Sequence, residues 1–571
     1  MNQDVFQIVI TLFGGLAVFI YGMNLMSDGL QKAAGDKMRN ILSLLTANPI
    51  FGVMAGALVT AVLQSSSATT VMVIGFVSAG LMKLPQAISV IFGANIGTTI
   101  TAQLIAFNIG DLAWIFVFVG FVMFFFLKKR EMVEKIGQIM FGFGLLFVGI
   151  NTMGATMKPL AHSDFFVHLM SNVSDIPILG VFVGTLMTVV VQSSSATIAV
   201  LQNLASTAGP DGMTSILGLE GAIPILFGDN IGTTITALLA CIGGSINAKR
   251  TAVAHTLFNL CGTLIFIWWI PQIIDIVGFI SPKGPEVEVI SRQIANTHLL
   301  FNLTNTIIFI PFIWLLVKIV TKIIPGEDRE VENSQPLYLD DNVLIQPAFA
   351  THLAVQELVR NAYFALDMVK NSRIAYRDKN SKMIQEVIDT DKNVNKLKDD
   401  IIEYLAKILT SESIDEYQKN KASALMHVAS DIEHIGDYSK NIATLVQTRM
   451  KNDYHFTDEA KAQIEEFFDK IELMLQETIV ALETGKRDVA RKISELEDDM
   501  NMYEYNIRKD HMSRVSDNIC SPATTVIFLD FIHNIERMGD SCKNIADIVL
   551  MRYDYTSYSR ANENENIGLK A

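Results

Sequence analysis

Four polar side chains, Gln64-Ser65-Ser66-Ser67, stand in the middle of an apolar segment over about residues 50–82, and the same tetrad, Gln192-Ser193-Ser194-Ser195, interrupts another over 177–206. In hydrocarbon each unsatisfied polar group is costly, and only helices and closed barrels satisfy the backbone internally. A chain written this way therefore folds as membrane helices that break where polar groups are wanted. The tetrads belong to a longer duplication. Gly22, Asn24 and Met26 recur as Gly149, Asn151 and Met153, and Pro49, Gly52, Val53, Gly56 and Thr60 recur as Pro177, Gly180, Val181, Gly184 and Thr188. Gly93-x-Asn95-Ile96-Gly97-Thr98-Thr99-Ile100-Thr101 returns as Gly228-x-Asn230-Ile231-Gly232-Thr233-Thr234-Ile235-Thr236.

Charge divides the chain as sharply. Residues 1–325 carry 15 Lys+Arg and 14 Asp+Glu, against 30 and 45 in residues 326–571, so one part is written for lipid and the other for water. Apolar stretches lie over about 5–26, 50–82, 86–108, 112–127, 137–158, 177–206, 216–243, 251–275 and 297–324, where a crossing takes about 20 residues. The first follows Met-Asn-Gln-Asp without a basic run and reads as a membrane helix, not a cleaved signal. The acidic water-side part argues against a nucleic-acid partner. Cys241, Cys261, Cys520 and Cys542 form no C-x-x-C pair, so no disulfide framework or thiolate zinc site is indicated and a reducing cytoplasm fits.

Duplicated membrane halves with polar, Gly-interrupted segments point to a secondary transporter whose site lies where the halves meet, near the midplane. At each break a half-helix N-terminus offers free N–H groups and a positive dipole end to an anion. Gln, Ser, Asn and Thr oxygens can replace the hydration shell of a hard cation. A small oxyanion with sodium suits this chemistry. Small residues also let helices approach closely, but two motifs repeated in register favour binding. Ala94 of the first copy becomes Asp229 in the second, a candidate sodium or proton ligand at membrane depth. Asn108 and Asp111 read as loop residues. His255-Thr-Leu-Phe-Asn259 and His298-Leu-Leu-Phe-Asn302 form a third echo, in which His and Asn share a helix face and suit hydrogen bonds between helices. The serines have no sequence-adjacent base, and no G-x-x-x-x-G-K-[ST] loop occurs, so no catalytic residue is assigned and the chain does not read as an enzyme.

The water-side part holds no proline between Pro347 and Pro522, and spacing such as Val355, Leu358, Val359, Ala362 and Ala365 predicts long antiparallel helices. Ile432-Glu433-x-x-Gly436-Asp437-x-x-Lys440-Asn441-Ile442-Ala443 recurs as Ile535-Glu536-x-x-Gly539-Asp540-x-x-Lys543-Asn544-Ile545-Ala546. Glu and Asp four apart share a face, so Glu433, Asp437, Glu536 and Asp540 are candidate metal ligands, with Asp391 and Asn395, or Glu497 and Asn501, spaced to close each site. A solvated acidic face is the alternative. The glycine between the acids serves such a site or a close helix approach.

Paired Q-S-S-S segments, each followed by G-x-N-I-G-T-T, resemble the sodium/phosphate cotransporter family over about residues 5–325. The resemblance implies an all-α polytopic membrane protein with two inverted repeats carrying re-entrant Q-S-S-S hairpins. Its phosphate and sodium ligands would fall on Gln64, Ser65, Ser66, Ser67, Asn95, Thr98, Thr99, Gln192, Ser193, Ser194, Ser195, Asn230, Thr233 and Thr234, to which the residue reading adds Asp229. The H-D-x-F-N aspartate of electrogenic animal members has no counterpart after Thr101. The pattern E-x-x-G-D-x-x-x-N-I in tandem is similar to the PhoU family, whose members are cytoplasmic helical regulators with multinuclear metal sites, implying a divalent or iron-type metal on the four acids above. The expected divisions are a first repeat over 1–127, a second repeat with final helices over 128–325, a linker over 326–347, a PhoU-like domain over 348–555 and a disordered tail over 556–571. Lys128, Lys129, Arg130, Lys135, Lys249, Arg250, Lys318 and Lys322 flank the spans, and the last pair argues for a cytoplasmic C-terminal domain. The expected protein is a sodium-coupled phosphate transporter of a bacterial inner membrane, embedded in the lipid bilayer and compatible with the homodimers of its relatives. An exporter with the same mechanism, or a membrane sensor that binds phosphate without moving it, remains open.

Overall fold

In a computed structural model the described residues form α-helices, short 3-10 turns and no β-strand. It describes the chain except residues 1–2, 35–47, 108, 111, 128–129, 158–173, 210, 243, 327–333, 346, 412–413, 415, 518 and 552–571. Asn108, Asp111, Lys128, Lys129 and the expected tail therefore lie outside the described residues. The chain divides into two compact units, Met1–Asp328 and Arg329–Ala571.

Among the described residues, six segments of the first unit are long and apolar enough to cross a membrane: Phe6–Ala33, Leu84–Ile105, Met132–Thr156, Gly218–Ala240, Ile246–Ile280 and Glu286–Ile323. The helices in order are α1 (Gln3–Ala34), α2 (Pro49–Leu63), α3 (Ser66–Ser78), α4 (Leu84–Ile105), α5 (Leu112–Phe126) and α6 (Glu131–Met157). The second copy supplies α7 (Pro177–Val191), α8 (Ser194–Ala205), α9 (Gly218–Gly232) and α10 (Thr234–Ala240), followed by α11 (Ile246–Phe266), α12 (Ile270–Ile280), α13 (Glu286–Phe309) and α14 (Ile313–Ile323). The apolar stretch 50–82 is thus not one crossing but α2 and α3, separated at the tetrad. At 1.5 Å per residue, α2 spans about 22 Å, short of a hydrocarbon core of about 30 Å.

The repeated glycines explain how α2 lies on α4. A Cβ on Gly56 would strike the Val90 carbonyl oxygen, and one on Gly93 would strike that of Val53. Gly184 and Gly228 stand in the same relation to the carbonyls of Ile225 and Val181. Gly52 meets Ser89 near the start of both helices and Gly97 meets Ala57 and Thr60 near their ends, so α2 runs parallel to α4; Gly180 on Pro224 and Gly232 on Thr185 and Thr188 set α7 parallel to α9 in the same way.

The third echo has a packing role. Phe92, just before the first G-x-N-I-G-T-T, stacks on Phe258 of the first H-x-x-F-N string at 4.2 Å, while Phe227 packs on Phe301 of the second at 4.6 Å. Helix α11 therefore serves α4, and α13 serves α9.

The second unit is six long helices: α15 (Pro347–Asp378), α16 (Ser381–Leu409), α17 (Glu416–Lys451), α18 (Asp458–Thr484), α19 (Arg487–Ser516) and α20 (Pro522–Leu550). The first three pack mutually, as do the last three, and α15 with α18 and α17 with α20 join the two sets. Phe467, Phe468, Phe528 and Phe531 are fully buried in its core. Arg373 on α15 ties the sets through Glu465 at 2.8 Å and Asp469 at 2.7 Å on α18.

Candidate functional site

Each tetrad ends one helix and starts the next. Gln64 and Gln192 take left-handed backbone angles, with φ of 52° and 55°, which stops α2 and α7. Ser65 and Ser193 then cap α3 and α8, accepting hydrogen bonds from the amides of Ala68 at 3.2 Å and Ala196 at 3.3 Å. The first turns of α3 and α8 are left with N–H groups that have no intrahelical acceptor, the chemistry an oxyanion needs.

The two copies differ around this common break. Gln64 is 6% exposed, and its Oε1 accepts from the Thr101 hydroxyl at 2.8 Å. Gln192 is exposed. Ser66 and Ser195 are buried, whereas Ser67 and Ser194 are half-buried. Ser67 accepts a hydrogen bond from Thr236 at 3.2 Å, so the tip of the first copy meets the end of the second copy's G-x-N-I-G-T-T stretch.

The G-x-N-I-G-T-T residues point their polar groups partly into their own helices. Asn95 and Asn230 donate to the carbonyls of Ile91 and Leu226, and Thr99 and Thr234 to those of Ile96 and Ile231. Thr233 donates to the Asp229 carbonyl, while the buried Thr98 hydroxyl has no partner. Beneath the tetrads, Thr60 and Thr69 are 2.9 Å apart in the first copy, and Thr188 and Thr197 are 3.1 Å apart in the second. In the second copy alone this pair continues to a carboxylate, with Thr188 donating to Asp229 Oδ1 at 2.7 Å. Asp229 is fully buried and its Oδ2 has no partner, a strong requirement for a cation or proton in an apolar unit.

Sequence reasoning placed none of Thr60, Thr69, Thr101, Thr188, Thr197 or Thr236 in the site, although all six recur in both copies and recurrence was the available signal. It also underweighted the H-x-x-F-N strings. His255 reaches Asn95 at 3.5 Å, as the inter-helix reading expects, and Asn305 donates to the Phe258 carbonyl at 3.2 Å. Yet His255 Nδ1, His298 Nδ1 and the Oδ1 atoms of Asn259, Asn302 and Asn305 are buried without partners, so these residues line a polar layer with unspent capacity.

Comparison with known proteins follows the same residues. The sequence profile described as Na+/Pi-cotransporter matches residues 18–155 and again 151–278. A Bacillus subtilis protein, the uncharacterized YqeW, is 32% identical over 279 residues, covering 49% of this chain and 87% of its own. The chain belongs to the Na+/Pi-cotransporter family. A Salmonella typhimurium protein provisionally named as the inorganic phosphate export protein YjbB is 22% identical over 547 residues, 95% of this chain and 97% of its own. Rat sodium-dependent phosphate transport protein 2A is 35% identical over 97 residues, 17% of this chain and 15% of its own. The PhoU domain profile matches residues 358–446 and 464–549, so this cotransporter-family chain is fused to a tandem PhoU domain.

In that domain the acids expected to bind metal are occupied otherwise. Lys398 lies 3.3 Å from Glu433, and Lys440 lies 2.7 Å from Asp391 and 3.8 Å from Asp437. In the second copy Lys543 is 3.1 Å from Glu497, Arg537 is 2.7 Å from Asp540, and His533 is 3.5 Å from Glu536. Among the described residues no three His, Cys, Asp or Glu side chains converge as metal ligands. The arrangement lends the metal expectation no support: an ammonium or guanidinium lies against Glu433, Asp437 and Asp540, and Glu536 has only the His533 ring beside it. Burial raises the Asp437 pKa, with Glu433 and Asp391 adding to it, and burial with Asp540 nearby pushes Glu536 up to about 7. A Cβ on Gly436 would sit at an ordinary 3.5 Å from Met368 Sδ and one on Gly539 would press on Met500 Cε at 3.3 Å, so both face methionine side chains and no close backbone approach requires either glycine.

Proposed function

We propose that this multi-pass membrane protein is a sodium-coupled transporter of inorganic phosphate, with the oxyanion held between the two Q-S-S-S breaks and sodium at the Asp229 end. The tetrads and their G-x-N-I-G-T-T partners, Asn95, Thr98, Thr99, Asn230, Thr233 and Thr234, are the proposed ligands. One observation carries the reading: two helix breaks of the same construction, each with a left-handed Gln and a Ser cap, linked across the copies by Thr236 and Ser67. On this reading α2–α3 and α7–α8 are re-entrant hairpins of inverted repeats, and alternating access moves one repeat against the other. The acid absent from the H-x-x-F-N strings, where Thr256 and Leu299 follow the histidines, is replaced by Asp229. The PhoU domain, on the cytoplasmic side of a bacterial inner membrane, favours one transport conformation over another and so sets flux.

Export is the second reading, favoured because a relative matching 95% of the chain carries an export name. The same site serves both, with direction set by ion gradients. The test is radiolabelled phosphate accumulation in proteoliposomes with and without an inward sodium gradient, for the wild type and a Gln64→Ala, Gln192→Ala double variant. Sodium-driven uptake lost in the variant supports the proposal. Phosphate bound but never accumulated, under any sodium, proton or voltage gradient, would make the protein a sensor instead.

A further inference from the structure

Two arginines of the membrane unit solve the problem of a guanidinium in apolar surroundings in different ways. Arg250 is 8% exposed and spends all three nitrogens, Nε on the Ile324 carbonyl at 3.0 Å, Nη1 on Asn247 Oδ1 at 2.9 Å and Nη2 on the Gly326 carbonyl at 2.7 Å. That is a structural arginine, its hydrogen bonds complete. Arg292 on α13 is half-buried and spends only Nη1, on Gln103 Oε1 at 2.6 Å and more weakly on the Gln103 carbonyl at 3.3 Å. Its guanidinium carbon lies 4.3 Å from the centre of the Phe107 ring, and among the described residues no carboxylate lies against it. Seven residues into α13 and beside the last turn of α4, a guanidinium that is oriented with no acid beside it is a candidate anion site.

The orientation is over-determined. Gln103 Nε2 donates to Asn296 Oδ1 at 3.0 Å, and Asn296 Nδ2 donates to Ser281 Oγ at 2.8 Å. Gln202, from the second copy's hairpin, donates to the carbonyls of both Ala102 at 3.1 Å and Ser291 at 2.9 Å, the residues just before Gln103 and Arg292. Along α4, Gln103 follows Asn95 and Thr99 at four-residue steps on one helix face. It is also two residues beyond Thr101, which holds Gln64 of the tetrad. The free edge of the guanidinium, Nε and Nη2, is a fork matched to two oxygens of one tetrahedral oxyanion.

We propose that Arg292 forms a phosphate-binding subsite one turn beyond Thr99, where the substrate rests on its way to or from the Q-S-S-S breaks. The inference rests on the phosphate-transport reading above. Lipid headgroups present the same phosphate oxygens, and the commitment here is to inorganic phosphate.

The test measures uptake kinetics of Arg292→Gln and Arg292→Lys in proteoliposomes of purely zwitterionic lipid and of lipid with an anionic phosphatidylglycerol fraction. Equilibrium binding of radiolabelled phosphate to each detergent-solubilised protein runs in parallel. Loss of a bidentate charged contact predicts a KM and a Kd for phosphate raised about tenfold in Arg292→Gln, with maximal rate within about twofold. Sodium half-saturation stays unchanged, and Arg292→Lys restores part of the affinity because charge survives without the fork. An unchanged KM and Kd, or a maximal rate that falls while both stay fixed, would overturn the proposal and make Arg292 a structural anchor. An effect confined to anionic vesicles would assign the site to headgroups. A wild type that binds phosphate without sodium-driven flux would defeat the transport reading alone, and the Kd of Arg292→Gln would still decide this one.

Discussion

The two copies of the transport motif share a backbone and differ in charge and access. In the first, Gln64 is tucked against Thr101 and the position before Asn95 is Ala94. In the second, Gln192 faces outward and the matching position is Asp229, fixed by Thr188. Helix α4 runs unbroken through its motif, whereas the second copy changes from α9 to α10 at Thr233. Duplication supplied two equivalent scaffolds, and divergence left one copy without an acid and closed, the other with a buried carboxyl and an exposed glutamine. On the proposed reading that asymmetry gives the anion and the cation different environments within one site.

The largest expected effect comes from erasing the difference. Asp229→Asn removes the one buried carboxylate of the pair while keeping its shape, and sodium-dependent phosphate uptake should fall at least about tenfold, the loss of a charged contact. The reciprocal Ala94→Asp should not rescue it, since the Thr60–Thr69 pair is already self-satisfied. Next come the shared scaffolds: Gly56→Ala and Gly184→Ala each force a methyl into a carbonyl, and each should destabilise the protein by about 1–3 kcal/mol, read as a lower melting temperature and poorer yield. Equal effects would confirm that the copies are scaffolds of one kind. The tips should separate them again. Gln64→Ala leaves Thr101 without its acceptor and should cost about 1 kcal/mol of stability, whereas Gln192→Ala should leave stability unchanged and act on phosphate KM alone.

The PhoU domain repeats the lesson on a smaller scale. Aligning Asp391 and Asn395 with Glu497 and Asn501 places Lys398 opposite Glu504. Lys398 pairs with Glu433, but Glu504 adds its negative charge to the burial that raises Glu536 to about 7. A carboxyl raised in the folded state from its ordinary 4.5 costs stability as pH rises from about 4.5 through about 7, because the unfolded chain ionises first. Hydrogen exchange of α20 amides in the full chain should therefore quicken across that window, and Glu504→Lys should flatten the dependence. The smallest effects are expected at Gly436, where alanine should be tolerated or add up to about 1 kcal/mol of stability. Chelator treatment should likewise leave the α17 and α20 amides equally protected, since Lys398, Lys440 and Arg537 already lie against Glu433, Asp437 and Asp540.

Much of this was written plainly in the sequence. The tetrads announced the helix breaks through four polar residues in an apolar run, and the Gly56 and Gly184 echoes marked small residues that let helices approach closely, though not which helices or in which sense. The H-x-x-F-N strings were visible but their partners were not, since Phe92 meets Phe258 across 166 positions that no local pattern connects. The open and closed tips could not be read because Gln64 and Gln192 sit in nearly the same local sequence. The lysines that pair with the acids were hidden for a related reason: Lys440 is in the motif, but its reach to Asp391 depends on how α16 packs on α17. Charge in a motif is legible, whereas its partner belongs to tertiary structure.

The central claim is that sodium and phosphate move together and that the second copy's carboxylate couples them. The direct measurement is radiolabelled sodium accumulation driven by an imposed phosphate gradient in sealed proteoliposomes, in wild type and Asp229→Asn. Phosphate-driven sodium uptake in the wild type, absent in the variant, is the result the account predicts. Phosphate moving down its gradient with no sodium accompanying it, equally in both proteins, would contradict it.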